Sequence, residues 1–242
     1  PTEEPYKKRT AQGMILGEDG EKMSKSKGNV VNPIEIINEY GADTLRLYIL
    51  FIGDYEQSTP WNPNGVKGSK RFLDKLARLL DKVSEQPNDE YQATLHKTIK
   101  GVSEDIENVK FNTAIAKLMT LVNVLGKAKH INKDDYEMVL KIVNPFAPHL
   151  CEEIWDQLGH TEDMVYATWP TYDKSKMVEA SMDIVVSING KMRDKITVSA
   201  DASKEEVLEL AKQTVKIQAQ LEGKTIRKEI YVPKKLVNLV VS

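Results

Sequence analysis

The chain has 242 residues, with 40% apolar side chains and a net charge of −2 from 34 basic and 36 acidic groups. That length allows one large domain or two to three small ones, and that apolar share supports packed cores. Near-balanced charge excludes a uniformly basic nucleic-acid binder, so any RNA contact must come from local patches.

A first module is expected over residues 1–58. Met14 to Leu16 reads as a short strand entering the run Gly17-Glu18-Asp19-Gly20-Glu21-Lys22-Met23-Ser24-Lys25-Ser26-Lys27-Gly28-Asn29. Glycine is frequent there and no apolar period exists, so the run reads as a mobile loop. Asn32-Pro33-Ile34-Glu35 predicts a helix start, with Asn32 as N-cap and Glu35 completing a capping box. Gly41 is expected to end that helix in a left-handed cap. A second helix follows from Ala42 to Phe51, with Leu45, Tyr48, Ile49 and Ile52 on one face.

A second module, 59–173, is helical in pattern throughout. Apolar stripes run through Phe72–Val83, Leu95–Ile106, Ala114–Leu125, Tyr136–Val143 and Leu150–Leu158. Such stripes signal core and predict an antiparallel bundle. Cys151 falls in the last stripe and reads as a small buried apolar residue. The polar run Thr171 to Lys176 reads as a linker.

A third module, 174–242, changes period. Ile184, Val186 and Ile188 alternate as a strand, and Asn189-Gly190 is a strong hairpin signal. The return strand is expected to set Lys191, Arg193, Lys195 and Thr197 on one face and Met192, Ile196 and Val198 on the other. Ser203-Lys204-Glu205-Glu206 is a capping box opening a helix. Strands around Thr225–Val232 and Leu236–Val241 complete a small α+β domain of β-β-α-β-β order, with Lys234 and Lys235 between them. The whole reads as mainly α: a loop-bearing region, an antiparallel helix bundle, then this domain.

The most informative residues are Lys22-Met23-Ser24-Lys25-Ser26. Lysine is a compact charge on a flexible stem, suited to a phosphate whose charge moves. The pentapeptide resembles the signature loop of class I aminoacyl-tRNA synthetases. Ala42-Asp43-Thr44-Leu45-Arg46-Leu47-Tyr48, Pro145-Phe146-Ala147-Pro148-His149, Glu152-Glu153-Ile154-Trp155, Ile188 to Lys195, Gly223 to Lys228 and Val237 to Val241 extend the likeness over essentially the whole chain. Together they resemble the C-terminal part of the bacterial-type leucyl-tRNA synthetases. The Pro-Phe-Ala-Pro-His stretch is shared with valyl and isoleucyl relatives, so the tail is the discriminating part.

The resemblance implies that ATP activates leucine and that tRNA(Leu) then receives it. It assigns Lys25, then Lys22, to the ATP phosphates, with Ser24 and Ser26 ordering the loop and Met23 packing it. Mg²⁺ would accompany ATP, with no ligands identified in this chain and no metal site expected. The first module would be the family's stem-contact fold and the bundle its anticodon-binding-type domain. For tRNA, the hairpin face Lys191, Arg193 and Lys195 is the leading candidate, and Arg227, Lys228, Lys234 and Lys235 are candidates to extend it. A weaker candidate is the helix with Lys67, Lys70, Arg71 and Arg78. Asp43 and Arg46 read as structural ion pairs at a helix start.

Pro1 is not an initiator, and the family's His-Ile-Gly-His signature and editing domain are not in the sequence. The chain is therefore expected to be a fragment or natural subunit, partnered by the N-terminal catalytic and editing portion and inactive alone. A freestanding tRNA-binding module without chemistry is the alternative, which the intact signature loop argues against. With no apolar run of spanning length and no signal peptide, a cytoplasmic protein without a membrane partner is expected.

Overall fold

A computed structural model describes residues 6, 8–178, 181–199, 202–233 and 235–242. The chain divides into two compact units, one up to Met177 and one from Val178.

The first unit is helical. Its α-helices are α1 (Pro33–Tyr40), α2 (Ala42–Phe51), α3 (Pro63–Arg78), α4 (Gln92–Glu107), α5 (Phe111–Leu125), α6 (Lys133–Val143) and α7 (Pro148–Gln157). Two short parallel pairs tie distant loops: β1 (Ile15–Leu16) with β2 (Thr59–Pro60), and β3 (Val83–Ser84) with β4 (Ile131–Asn132). Asparagines start three helices: Asn32, Asn62 and Asn132 accept amides of α1, α3 and α6, which satisfies donors that a helix start leaves open. The main core joins Leu76, Leu95, Ile99, Val102, Ile115, Leu118, Leu121, Val139 and Leu140. Burying one such side chain stabilises the fold by about 1.5–3 kcal/mol. Tyr136 keeps its buried hydroxyl paired by donating to Leu76 O at 2.8 Å.

Near the loop the structure departs from the sequence reading at three points. Glu35 accepts from the Asn32 side chain at 3.0 Å and not from its backbone. Gly41 has φ 90° and ψ 155°, outside the left-handed helical region. It must end α1 and open α2 at once, and only glycine accepts that dihedral pair readily. Ile49 is exposed while Leu47 is buried. The reason is that α2 is a shared wall. Leu47 packs in the bundle core, whereas Leu45 and Tyr48 join Trp61 and Val66 in a separate cluster that Met23 packs against.

The second unit has β5 (Ser181–Ile188), β6 (Lys191–Ser199), α8 (Lys204–Gln213), α9 (Val215–Leu221), β7 (Ile226–Val232) and β8 (Leu236–Val241). The sheet order is β6-β5-β8-β7, with the central pair parallel and the outer pairs antiparallel. Asn189 and Gly190 turn the hairpin at φ 48° and 79°, and Ser203 and Glu206 form the full capping box of α8. Where the sequence predicts one helix there are two, because Thr214 takes an extended ψ of 137° and restarts the helix as α9. Ile184, Val186, Ile188, Val237 and Leu239 pack with Val207, Ala211 and Ile217 of these helices. No helix among the described residues is long and apolar enough to cross a membrane.

Candidate functional site

The signature loop is closed by its own polar side chains. Asp19 accepts from Glu21 N at 3.0 Å and from Asn29 Nδ2. Asn29 Oδ1 in turn accepts Ser24 N at 2.8 Å, and its amide also reaches Lys22 O. The Glu21 amide, with help from Asn29 and the nearby Lys27 charge, holds the Asp19 carboxyl below its ordinary range. Lys25–Lys27 form a single 3₁₀ turn that Gly28 ends at φ 67°, a left-handed conformation that favours glycine. The sequence reading gives Asn29 and Asp19 no role of their own. The signal was there, since Asn and Asp in glycine-rich loops bond to local backbone.

This closure sorts the polar side chains. Ser24 and Ser26 bond to each other at 2.8 Å, as fits an ordering role. Lys27 is paired with Glu21 at 3.3 Å. Lys22 and Lys25 are exposed and have no acidic partner among the described residues. Two unpaired ammonium groups on a short, self-ordered loop can meet a polyanion and follow its charge. Met23 is half-buried against the Leu45–Tyr48–Trp61 cluster and seats the loop.

The basic residues of the second unit do not form the single face expected. A bulge interrupts the β5–β6 register, so that Asp194 opposes Val186, Met192 opposes Ser187, and Arg193 is the extra residue. Residues directly opposite in a ladder share a face. Lys191 opposes Ile188, whose side chain is in the core, whereas Lys195 opposes Val185 on the outer face. One inserted residue reverses the alternation, so Lys191 falls on the helix side and Met192 takes its place outside. Lys195 also pairs with Asp183 at 2.6 Å. Lys228 opposes Val240 on the outer face of β7, at the other edge of the sheet, about 14 Å from β6 by strand spacing. Arg227 stands at a second bulge and bonds to Ser242 Oγ. Lys235 lies level with Val185, at the end of the sheet away from the hairpin turn. Lys234 lies outside the described residues. The structure thus leaves Lys195 on the outer face, Arg193 exposed at the bulge next to it in sequence, and Lys228 across an apolar strip from Lys195.

On α3, Lys67, Arg71 and Arg78 are exposed, but Lys70 is tied to Asp74. Asp43 and Arg46 do not pair with each other: Asp43 faces His149, and Arg46 donates to Pro145 O. Cys151 is fully buried, and burial pushes its thiol far above the ordinary range, so it is a packing residue. The described residues bring together no group of three His, Cys, Asp or Glu side chains that could hold a metal.

Residues 1–62 match the family described as tRNA synthetases class I (I, L, M and V), and residues 89–209 match the anticodon-binding domain of tRNA ligase. Among solved structures, the chain is similar to the LeuRS of Agrobacterium radiobacter K84 agnB2, seen in a ternary complex with tRNA and LeuAMS. The identity is 30% and the TM-score 0.67, over 96% of this chain and 33% of that one. The chain thus spans about a third of the length of that LeuRS. With the signature loop and most of the helical unit inside these matches, the chain belongs to the class I tRNA synthetases and carries that family's anticodon-binding domain.

Proposed function

We propose that this chain supplies the phosphate-contacting loop and the tRNA-holding modules of a leucine–tRNA ligase. The observation that carries this reading is the pair of unpaired lysines, Lys22 and Lys25, on a signature loop within a fold similar to LeuRS. In the first step a leucine carboxylate oxygen attacks the α-phosphorus of ATP. The bond to the bridging oxygen breaks, and pyrophosphate leaves with the electron pair. The nucleophile is already ionised, so no general base is required. Negative charge grows on the leaving group, and ammonium groups placed there stabilise the transition state more than the ground state. Lys25 is the first choice for that contact and Lys22 the second. Mg²⁺ would accompany ATP and be held chiefly by its phosphates; the described residues bring together no group of three His, Cys, Asp or Glu side chains for it.

In the second step the terminal adenosine hydroxyl of tRNA(Leu) takes the leucyl group. The exposed residues Arg193, Lys195 and Lys228 are proposed to hold tRNA phosphates, which position the nucleic acid without reading its bases. Since the chain spans a third of the LeuRS it resembles, the leucine and adenine pockets are proposed to lie in a catalytic and editing portion outside it.

The test is leucine-dependent ATP–pyrophosphate exchange. In the complete enzyme Lys25→Ala should slow exchange about a hundredfold while leaving the KM for leucine nearly unchanged. A rate within threefold of wild type overturns the assignment. The 242-residue chain alone should show no exchange. Activity from it would refute the division of the active site.

A further inference from the structure

Two motifs meet in the fold without a task in this reaction: Ala42–Tyr48 on α2, and Pro145–His149 at the start of α7. Helix α7 has no cap of its own. Ala147 stands at its N-cap position without a side-chain acceptor, and Pro148 follows. The amide of Leu150 instead donates to Asp43 Oδ2 at 2.7 Å, from a residue 107 positions away. Asp43 Oδ1 is 2.7 Å from His149 Nδ1. One turn along α2, Arg46 Nη2 donates to Pro145 O at 3.1 Å. Asp43 is 8% exposed, so both its oxygens are used inside the fold. A carboxylate at a helix N-terminus meets free amides and the positive end of the dipole. In this fold the carboxylate comes from a different helix, so the cap is also a clasp.

What the clasp holds is the wall under the signature loop. Leu47 of α2 is packed in the bundle core, and Leu45 and Tyr48 carry the cluster on which Met23 rests. The strand entering the loop is bonded to the same region, with Thr59 N donating to Met14 O and Trp61 N to Leu16 O. Any shift of α2 against α7 therefore moves the seat of Lys22 and Lys25. We propose that Asp43 is a positioning residue for adenylate formation: by capping α7 it fixes α2, and with it the signature loop, at one setting against the bundle. Asp43 touches no reacting atom. The inference rests on the function proposed above.

The experiment has two arms. In the first, amide hydrogen exchange is measured on the 242-residue chain as wild type, Asp43→Ala, His149→Ala and His149→Asn. Asp43→Ala should strip protection from the Leu150 amide and speed exchange at Thr59 and Trp61 about tenfold, as fits loss of hydrogen bonds to a charged group. The amides of Val122 and Leu140 in the bundle should not change. His149→Ala, an exposed site that should fold normally, should show the same pattern at about threefold, and His149→Asn, which keeps a donor near Nδ1, should restore it. In the second arm, the complete enzyme with Asp43→Ala should lose about tenfold in kcat for pyrophosphate exchange with KM values within twofold. Freed Leu150 with unchanged Thr59 and Trp61, or with exchange rising equally through the bundle, overturns the proposal. So does an unchanged kcat. If the wild-type enzyme shows no leucine-dependent exchange, the proposed function fails, and the clasp is judged by hydrogen exchange alone.

Discussion

The helical unit surrounds its main core with side chains from α2 to α7, while the sheet of the second unit buries one face and shows the other. On the buried face Ile184, Val186, Val237 and Leu239 meet α8 and α9. On the outer face Val185, Leu236 and Val240 are half-covered, Ile230 and Val232 are exposed, and Lys195 and Lys228 flank them, with Arg193 exposed at the bulge. The difference follows from geometry. A 3.6-residue period lets several helices turn their stripes to one centre, but a strand alternates and a single layer of helices covers only one side. The bundle core is thus specified largely by packing. The outer sheet face is a surface on which charge can be placed without disturbing a core.

The largest effect should come from opening the closed core. Leu118 is fully buried among Leu95, Ile99 and Leu121. Leu118→Ala should cost about 3 kcal/mol, as lost transfer energy plus a cavity. Urea unfolding followed at Trp155, which lies in the same core, measures it. A loss below about 1 kcal/mol would mean that the helices collapse around the gap and that the core is less tightly specified than its burial implies.

On the outer face the effect should be on binding and not on folding. Neutralising Arg193, Lys195 and Lys228 together to glutamine should weaken tRNA binding by at least about tenfold and flatten the slope of log affinity against log salt by about two. Circular dichroism should be unchanged, because all three are exposed. Lys191→Gln, on the other side of the bulge, should change the slope by less than half a unit. A larger loss from Lys191 than from the three outer residues would restore the unbroken alternation that the sequence predicts.

That contrast marks what can be read from the sequence. Five bundle stripes became five helices, since each spans several turns and local sequence decides it. The Asn189-Gly190 turn and the Ser203–Glu206 box were equally legible, because a few neighbouring atoms define them. The bulge at Arg193 was not, because its cause lies in the pairing with β5. Nor was the clasp, whose partners are 107 residues apart. In the loop, the pentapeptide names Lys22 and Lys25, but the pairing of Lys27 with Glu21 that sets them apart and the Asp19–Asn29 closure are visible only in the fold.

A smaller effect is expected from pH at the edge of the helical unit. His96 is buried, and its Nδ1 accepts from Asp173 N at 3.2 Å. Burial first, then the Lys176 charge, pushes its pKa below the ordinary 6.5, while Asp173 and Asp135 oppose the shift. The unfolded chain therefore binds the proton more readily. Stability should fall as pH drops from 6.5 toward the folded value, with the sign set by the proton excess of the unfolded state. Asp135 works the other way at lower pH, since burial raises its pKa. Thermal melting of wild type and His96→Asn between pH 7.5 and about 5.5 isolates the histidine contribution. The wild type should lose more stability than the variant on acidification. Parallel curves would show that the imidazole is as easily protonated in the fold as outside it.

A last pair of substitutions tests the two faces of the sheet with one chemistry, and its smallest effect is expected on the outer face. Ile184 and Ile230 are both isoleucines in strands, but Ile184 is fully buried under the helices and Ile230 is 36% exposed on the outer face. Threonine keeps the β-branch, so strand preference changes little in either case. At Ile184 it removes buried apolar surface and places a hydroxyl in the core, which should cost about 2 kcal/mol or more. At Ile230 the hydroxyl stays solvated and the loss should be within about 0.5 kcal/mol. Urea denaturation of the 242-residue chain, followed by circular dichroism in the sheet region, compares them directly. A loss at Ile230 approaching that at Ile184 would mean that the outer face is covered in solution. The tRNA contact would then have to be moved off that face, whatever the charge variants show.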